Sequence, residues 1–167
     1  MRLAVAVWPT APALRAIAAI ERPELPGVMW SEPAQWMVKV RPLGHVPTTV
    51  VPRIVEVLTD ELDGAPPARC TAGPVTERLG GQWLGVPVRG LDELAEVVFD
   101  VTAPVVPVTH PQPFRADLVL ARGRVPKELA GIAVRTSWTA RRLVLVADHS
   151  SPRGARFEDV ASFPLDG

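Results

Sequence analysis

The stretch from Gln35 to Val46, QWMVKVRPLGHV, restricts the possible fold more than any other part of the chain. Apolar Trp36, Val38 and Val40 alternate with Met37, Lys39 and Arg41. Only an extended strand turns a period of two into two chemically distinct faces. The pattern predicts a half-buried strand, ended by a turn at Leu43-Gly44-His45, with its second face free for a site. The stretch Pro113 to Arg124, PFRADLVLARGR, repeats the form. There Leu118 and Leu120 point one way, and Asp117, Val119 and Ala121 the other.

The remaining segments supply what such strands pack against. Arg2 to Trp8 reads as a strand closed by Pro9, and Thr10 as the N-cap of a helix over Ala11 to Glu21 with Pro12 in its first turn. Leu14, Ile17 and Ala18 form its inward stripe. Pro23, Pro26, Gly27 and Pro33 make Arg22 to Ala34 a loop. A second helix runs from about Val51 to Leu62, with Ile54, Val55, Leu58 and Leu62 inward and Gly64 as its stop. Ala68–Thr71 and Gln82–Val86 read as strands joined by the Gly-rich segment from Gly73 to Gly81. A third helix opens at Gly90-Leu91 and ends near Asp100. Ala103 to Pro113, with four prolines, is an extended loop carrying His110. Pro126 to Leu129 forms one helical turn, and Ile132–Trp138, Arg142–Val146 and Phe157–Pro164 close the chain as strands. The order β-α-β-α-β-β-α-β-β-β-β predicts an α+β fold, with helices backing antiparallel sheets.

At 167 residues, with 47% hydrophobic residues, the chain suits a single domain. No apolar run approaches the roughly 18 residues of a membrane span. The segment MRLAVAVWPT lacks the features of a secretory signal, and Cys70 is alone, so the expectation is a cytoplasmic protein without disulfides. Formal net charge is zero, which does not point to non-specific RNA binding, although RNA stays open as a partner. Sixteen of the basic residues are Arg and two, Lys39 and Lys127, are Lys. A Lys in the middle of the first motif strand therefore stands out.

The two alternating stretches resemble the motif strands of the 2H phosphoesterases, in particular the 2′-5′ RNA ligase-like, RNA 2′,3′-cyclic phosphodiesterase branch. In that family each of two pseudo-symmetric lobes gives a His-x-Thr or His-x-Ser strand to a central cleft. The segments GPVTERLGGQWLGVPVRGLDELA and WTARRLVLVADHSSPRGARFEDVASFPL resemble its middle and end, so the likeness spans nearly all of residues 1–167. It implies one bilobal domain, two antiparallel sheets around a cleft and helices outside. The departure lies at the motif positions. Met37 and Lys39 stand where the first His and Thr belong, and Asp117 and Val119 where the second pair belongs.

That departure removes the family's proton chemistry. Cyclic phosphate opening needs a general base and a general acid near neutrality, which imidazole supplies best. Met37 exchanges no proton, Val119 has no hydroxyl, and a carboxylate at Asp117 would face an anionic substrate. The expectation is a pseudoenzyme toward phosphodiesters that binds a small molecule or nucleotide in the inherited cleft. The alternative is a repurposed enzyme, for example in a biosynthetic pathway, using Lys39 and Asp117 as catalytic groups on a non-phosphate substrate. Lys39 and Asp117 are expected to pair across the cleft, as an ion pair or through a bridging water, in either case or as mere filling of a decayed site. A vestigial cleft would be packed shut by its own side chains.

Candidate ligand contacts are Met37, Arg41, His110, Arg115, Val119 and Trp138, with Arg124 near the mouth. Trp8 and Trp138 could stack on a ring, or pack in the core. Trp36 is a core residue by alternation, His45 and His149 are surface residues, and Cys70 is a small buried apolar residue. Three dispersed His and one Cys show no metal-ligand spacing, and no cofactor is expected.

Overall fold

The computed structural model describes residues 1–109 and 111–167, so the expectation for His110 lies outside the described residues. Strand β1 (Arg2–Val7) is buried on both faces because it lies mid-sheet. It is followed by helix α1 (Ala11–Ala18), strands β2 (Val28–Trp30) and β3 (Val38–His45), and helix α2 (Val51–Glu61). Then come β4 (Ala68–Ala72), β5 (Glu77–Leu79), β6 (Trp83–Arg89), helix α3 (Asp92–Thr102), β7 (Ala116–Gly123), β8 (Thr136–Ala140), β9 (Arg142–Asp148) and β10 (Phe157–Pro164). The fold is α+β, as the pattern implies, with the expected order plus two short strands, β2 and β5.

Both additions have the same cause. Each spans three residues, too short for a periodic signal, and each is fixed by the longer strand it pairs with. Strand β2 pairs antiparallel with β7, with Val28 opposite Gly123, and β5 pairs with β6, with Glu77 opposite Gly85. Helix α1 ends at Ala18, short of Glu21, where the Ile20 N–H bonds to the Ile17 carbonyl and tightens the last turn. Thr10 takes the extended N-cap backbone, but its side chain makes no cap bond.

Two antiparallel sheets form two lobes. One has the order β10-β9-β1-β3, and the other β2-β7-β6-β4-β8 with β5 added to β6. Helix α3 lies against β3 and α2, α2 reaches β10, and α1 packs on β8. A single core runs through both lobes, from Leu3, Val5, Val38 and Leu145 to Leu84, Leu118, Leu120 and Trp138. On the opposite face of the four-stranded sheet, Ala6, Met37, Val144 and Val146 form a second, small apolar cluster, with Trp8 and Phe157 against it.

The register is broken at equivalent places in the two motif strands, and β3 carries a second shift nearer its end, where Leu43 lies between the paired Pro42 and Gly44. Lys39 lies opposite Ala6 and Arg41 opposite Val5, so Val40 is an extra residue in β3. Val119 lies opposite Gly85 and Ala121 opposite Leu84, so Leu120 is the extra residue in β7. Such a bulge sets two residues against one and reverses the facing of the residues after it. Arg41 and Ala121 are therefore turned onto the core side, against expectation. Ala121 joins the core. Arg41 is 8% exposed and anchors α3: its Nη1 donates to Thr102 Oγ1, its Nη2 to the Val106 carbonyl at 2.7 Å, and its guanidinium lies 5.3 Å from the Phe99 ring centroid. It ties β3 to α3 and to the segment after it, and its side chain also borders the cleft between the lobes.

Two stability measurements by urea unfolding test this arrangement. Leu118→Ala, at a fully buried position, should cost about 2–5 kcal/mol, whereas Val119→Ala, on the cleft side, should cost less than about 1 kcal/mol. Thr102→Val strips the acceptor from a buried guanidinium donor and should cost about 1–3 kcal/mol. Equal costs at Leu118 and Val119, or no cost at Thr102, would contradict the facing described.

Candidate functional site

The two motif strands, one from each sheet, approach closely where the lobes meet. Between the lobes lies an open cleft of about 1280 Å³, lined by residues of both sheets, α3 and the segment leading into β7. Among the expected site residues, Met37, Lys39, Arg41, Arg115, Asp117 and Val119 share this lining. The cleft is not packed shut, contrary to what a vestigial site would show.

The wall from the four-stranded sheet has an apolar floor and a polar edge. Met37 is 6% exposed and packs with Ala6, Val144 and Val146. Strand β1 contributes the small side chains of Ala4 and Ala6 to the middle of this face, with Arg2 at its end, which leaves a trough between β3 and β9. Two strand spacings of about 4.8 Å separate those flanking strands. Lys39 on one side and Asp148 on the other line a recess of about 50 Å³ there, together with Arg2, Ala4, Met37, Pro42 and Val146. Arg2 Nε is 3.8 Å from Asp148 Oδ2.

Charges in this trough depend on partial loss of water. Desolvation lowers the Lys39 pKa most; Asp148 pulls it upward, and the Arg2 and Arg122 cations push it further down. The net result is an ammonium held below the ordinary lysine range. Desolvation raises the Asp148 carboxyl, but hydrogen bonds from Ser150 and the charges of Arg2 and Lys39 outweigh it, leaving the group below its ordinary value. Asp148 is thus an anion at neutral pH.

The facing wall carries Leu79, Trp83, Asp117, Val119 and Arg122. Asp117 and Val119 alternate on the cleft side of β7, and the bulge at Leu120 brings Arg122 there in place of Ala121. Arg122 stands 5.9 Å from the Trp83 ring centroid, and Trp83 is 40% exposed. The expected direct ion pair of Lys39 with Asp117 does not form. Arg115, two residues before Asp117 on the same side of the chain, holds both its carboxylate oxygens, Nε to Oδ2 at 2.8 Å and Nη2 to Oδ1 at 3.2 Å. The same guanidinium bonds Glu77. Hydrogen bonds donated to Asp117 and then to Glu77 raise the Arg115 pKa above its usual value. A planar fork matched to a carboxylate leaves little for a distant ammonium to add. No ion pair among the described residues includes Lys39.

Other expectations resolve individually. Trp138 does not reach the cleft: it is 2% exposed, lies opposite Cys70 on β8 and β4, and belongs to the core. Trp36 is fully buried, as its alternation implies. Trp8 donates its indole N–H to Asp159 at 3.1 Å. His45 is exposed at the end of β3, and exposed His149 meets Glu158 at 2.9 Å. Cys70 is fully buried, and burial pushes its thiol up to about 11, which suits an inert apolar residue. Sequence reasoning missed Arg2, Trp83, Arg122, Asp148 and the rim phenylalanines Phe99, Phe114 and Phe157. Trp83 is the β6 residue that lines the cleft, at the exposed start of that strand. Arg122 carries no signal in the sequence, because the bulge that turns it is invisible in the pattern.

Chemically the cleft offers one untied amine, one carboxylate held by Arg115, a second beside Arg2, and exposed aromatic faces. Its floor at Met37 and Val119 holds no proton donor or acceptor suited to a leaving alkoxide.

No protein-family profile and no curated protein matches the chain. Solved structures do. TT0787 of Thermus thermophilus superposes with a TM-score of 0.88 at 20% identity, covering 100% of this chain and 99% of that one. A structure described as a phosphoesterase gives 0.84 at 18% identity, covering 99% and 98%. Escherichia coli LigT complexed with 3′-AMP gives 0.83 at 18% identity, covering 98% and 97%. End to end, the chain therefore has the bilobal 2H phosphoesterase-like fold that LigT also has.

Proposed function

We propose that this protein is a divergent relative of the 2H phosphoesterases that binds a small molecule of nucleotide size in its cleft and does not hydrolyse phosphodiesters. The observation that carries the reading is the pair of central motif positions. They hold Met37, sunk in an apolar cluster, and Asp117, locked to Arg115, while the cleft between them stays open. Loss of one general acid or base typically costs about 10²–10⁴ in rate. Loss of both, with a carboxylate in one place, leaves no route for the proton transfers.

The rest of the lining supports ligand binding. Trp83, Phe99, Phe114 and Phe157 give apolar faces for a ring, and Arg2, Lys39 and Arg122 a positive margin for an acidic group. LigT has been crystallised with 3′-AMP, with NADP+ and with ATP, which makes adenine nucleotides the first ligands to try. One observation favours the second reading, a repurposed enzyme: Lys39 has no ion-pair partner among the described residues. The same geometry narrows that reading to Lys39, because Asp117 is already engaged by Arg115.

Two assays on the purified protein test the proposal. Incubation with 2′,3′-cyclic AMP and with a cyclic-phosphate-ended oligoribonucleotide should give no opening above the buffer rate. Calorimetry should detect 3′-AMP binding, and Trp83→Ala should weaken it by about 1–3 kcal/mol. Rapid ring opening would overturn the loss of hydrolysis. Absence of binding to any adenine nucleotide would overturn the nucleotide-sized ligand.

A further inference from the structure

We propose that the recess between Lys39 and Asp148 holds an α-amino-acid head group, with the ligand's carboxylate on Lys39 and Arg2 and its ammonium on Asp148. The inference rests on the cleft being a ligand site, and it names one end of the ligand. Its basis is a pair of opposite charges that face one small space without satisfying each other. The recess, of about 50 Å³, has a floor of Ala4, Met37 and Val146, with Lys39 on the β3 side, Asp148 on the β9 side and Arg2 at the start of β1. At roughly 10–15 Å³ per water it has room for about four water-sized groups, enough for two carboxylate oxygens and an ammonium nitrogen and too little for a ring.

Neither charge is spent. Lys39 brings three N–H donors and has no ion-pair partner among the described residues. Asp148 accepts the Ser150 N–H at Oδ1, at 2.8 Å, whereas Arg2 Nε stands 3.8 Å from Oδ2, beyond hydrogen-bond length. A ligand with a carboxylate alone would leave Asp148 unmatched beside it. A ligand with an amine alone would meet two cations. A molecule that carries both groups on one carbon satisfies each of them. Composition points the same way, since Lys39 is one of two Lys against sixteen Arg. A compact ammonium on a flexible stem fits a narrow recess better than a planar guanidinium fork.

The surroundings suit the apolar part of such a ligand. Phe157 lies opposite Asp148 in the β9–β10 register, so it stands on the same face, and it lines the cleft. A head group seated on Lys39 and Asp148 therefore has an aromatic ring beside its carbon substituent. Trp83 and the facing wall are left to the rest of the ligand.

Three probes that share one ring separate the two charges. They are L-phenylalanine, phenethylamine, which lacks the carboxylate, and hydrocinnamate, which lacks the ammonium. In chemical-shift titrations of the folded protein, L-phenylalanine should bind at least about tenfold more tightly than either of the others. Lys39→Met should remove its advantage over phenethylamine, and Asp148→Asn its advantage over hydrocinnamate, with both variants shown to be folded by circular dichroism. No binding of L-phenylalanine, equal affinities for the three probes, or ratios that the two variants leave unchanged would overturn the assignment. If 3′-AMP binds but L-phenylalanine does not, the head-group site falls and the nucleotide-sized cleft stands. If L-phenylalanine binds with the expected ratios but no nucleotide does, the head-group site stands and the nucleotide reading falls.

Discussion

Strands β3 and β7 run close together where the two sheets meet, and each must bury one face in a core that the sheets share. That constraint decides what the cleft can contain. Val38, Val40, Leu118 and Leu120 are committed inward, so Met37, Lys39, Asp117 and Val119 are committed outward. A register slip of one residue in either strand would put charges in the core, so the facing is strongly specified. The bulges at Val40 and Leu120 limit the exposed run to the same short length in both strands. Beyond them β3 uses Arg41 to fasten α3, while β7 presents Arg122 to the cleft. The lobes thus share a backbone device and use it for different ends.

The chemistry comes from the surroundings of the outward positions. Met37 belongs to an apolar patch with Ala6, Val144 and Val146, which excludes water but moves no protons. Asp117 would repel a phosphate by roughly 4 kcal/mol at 4 Å if it stood alone at an effective dielectric near 20. Arg115 offsets one negative charge, but it is shared between Asp117 and Glu77, so the wall stays net negative and the carboxylate is engaged. The catalytic pair expected from the motif positions separates into two local systems, Arg115 with Asp117 and Glu77 on one wall, and Lys39 with Asp148 and Arg2 on the other. The small side chains of Ala4 and Ala6 make the second system possible, because anything larger would fill the trough between β3 and β9.

Much of this is legible in residue order. A period of two in the motif stretches identifies both strands and their outward residues, and the helical stripe of Ile54 and Leu58 identifies a helix that does bury them. Three kinds of feature are not legible. Strands β2 and β5 span three residues each and exist through pairing, β2 with distant β7 and β5 with the next strand, β6, so their own residues carry no pattern. The bulges break alternation at Arg41 and Ala121; Pro42 is the one mark in β3, and nothing in β7 marks the turn of Ala121 into the core. Partner choice is the third: Lys39 and Asp117 do lie on facing strands, but Arg115 is two residues away in the chain and takes Asp117 first. Trp138 fails for a related reason, since an aromatic near a strand end reads the same whether it caps a cleft or fills a core.

The central claim is that a scaffold suited to two proton-transferring side chains now holds a thioether and an engaged carboxylate in their places. The most direct measurement is 2′,3′-cyclic AMP hydrolysis by the quadruple variant Met37→His, Lys39→Thr, Asp117→His, Val119→Thr, with folding confirmed by circular dichroism. The account predicts that this variant opens the cyclic phosphate while the parent chain does not. A folded variant as inactive as its parent, or a parent as active as the variant, would contradict it.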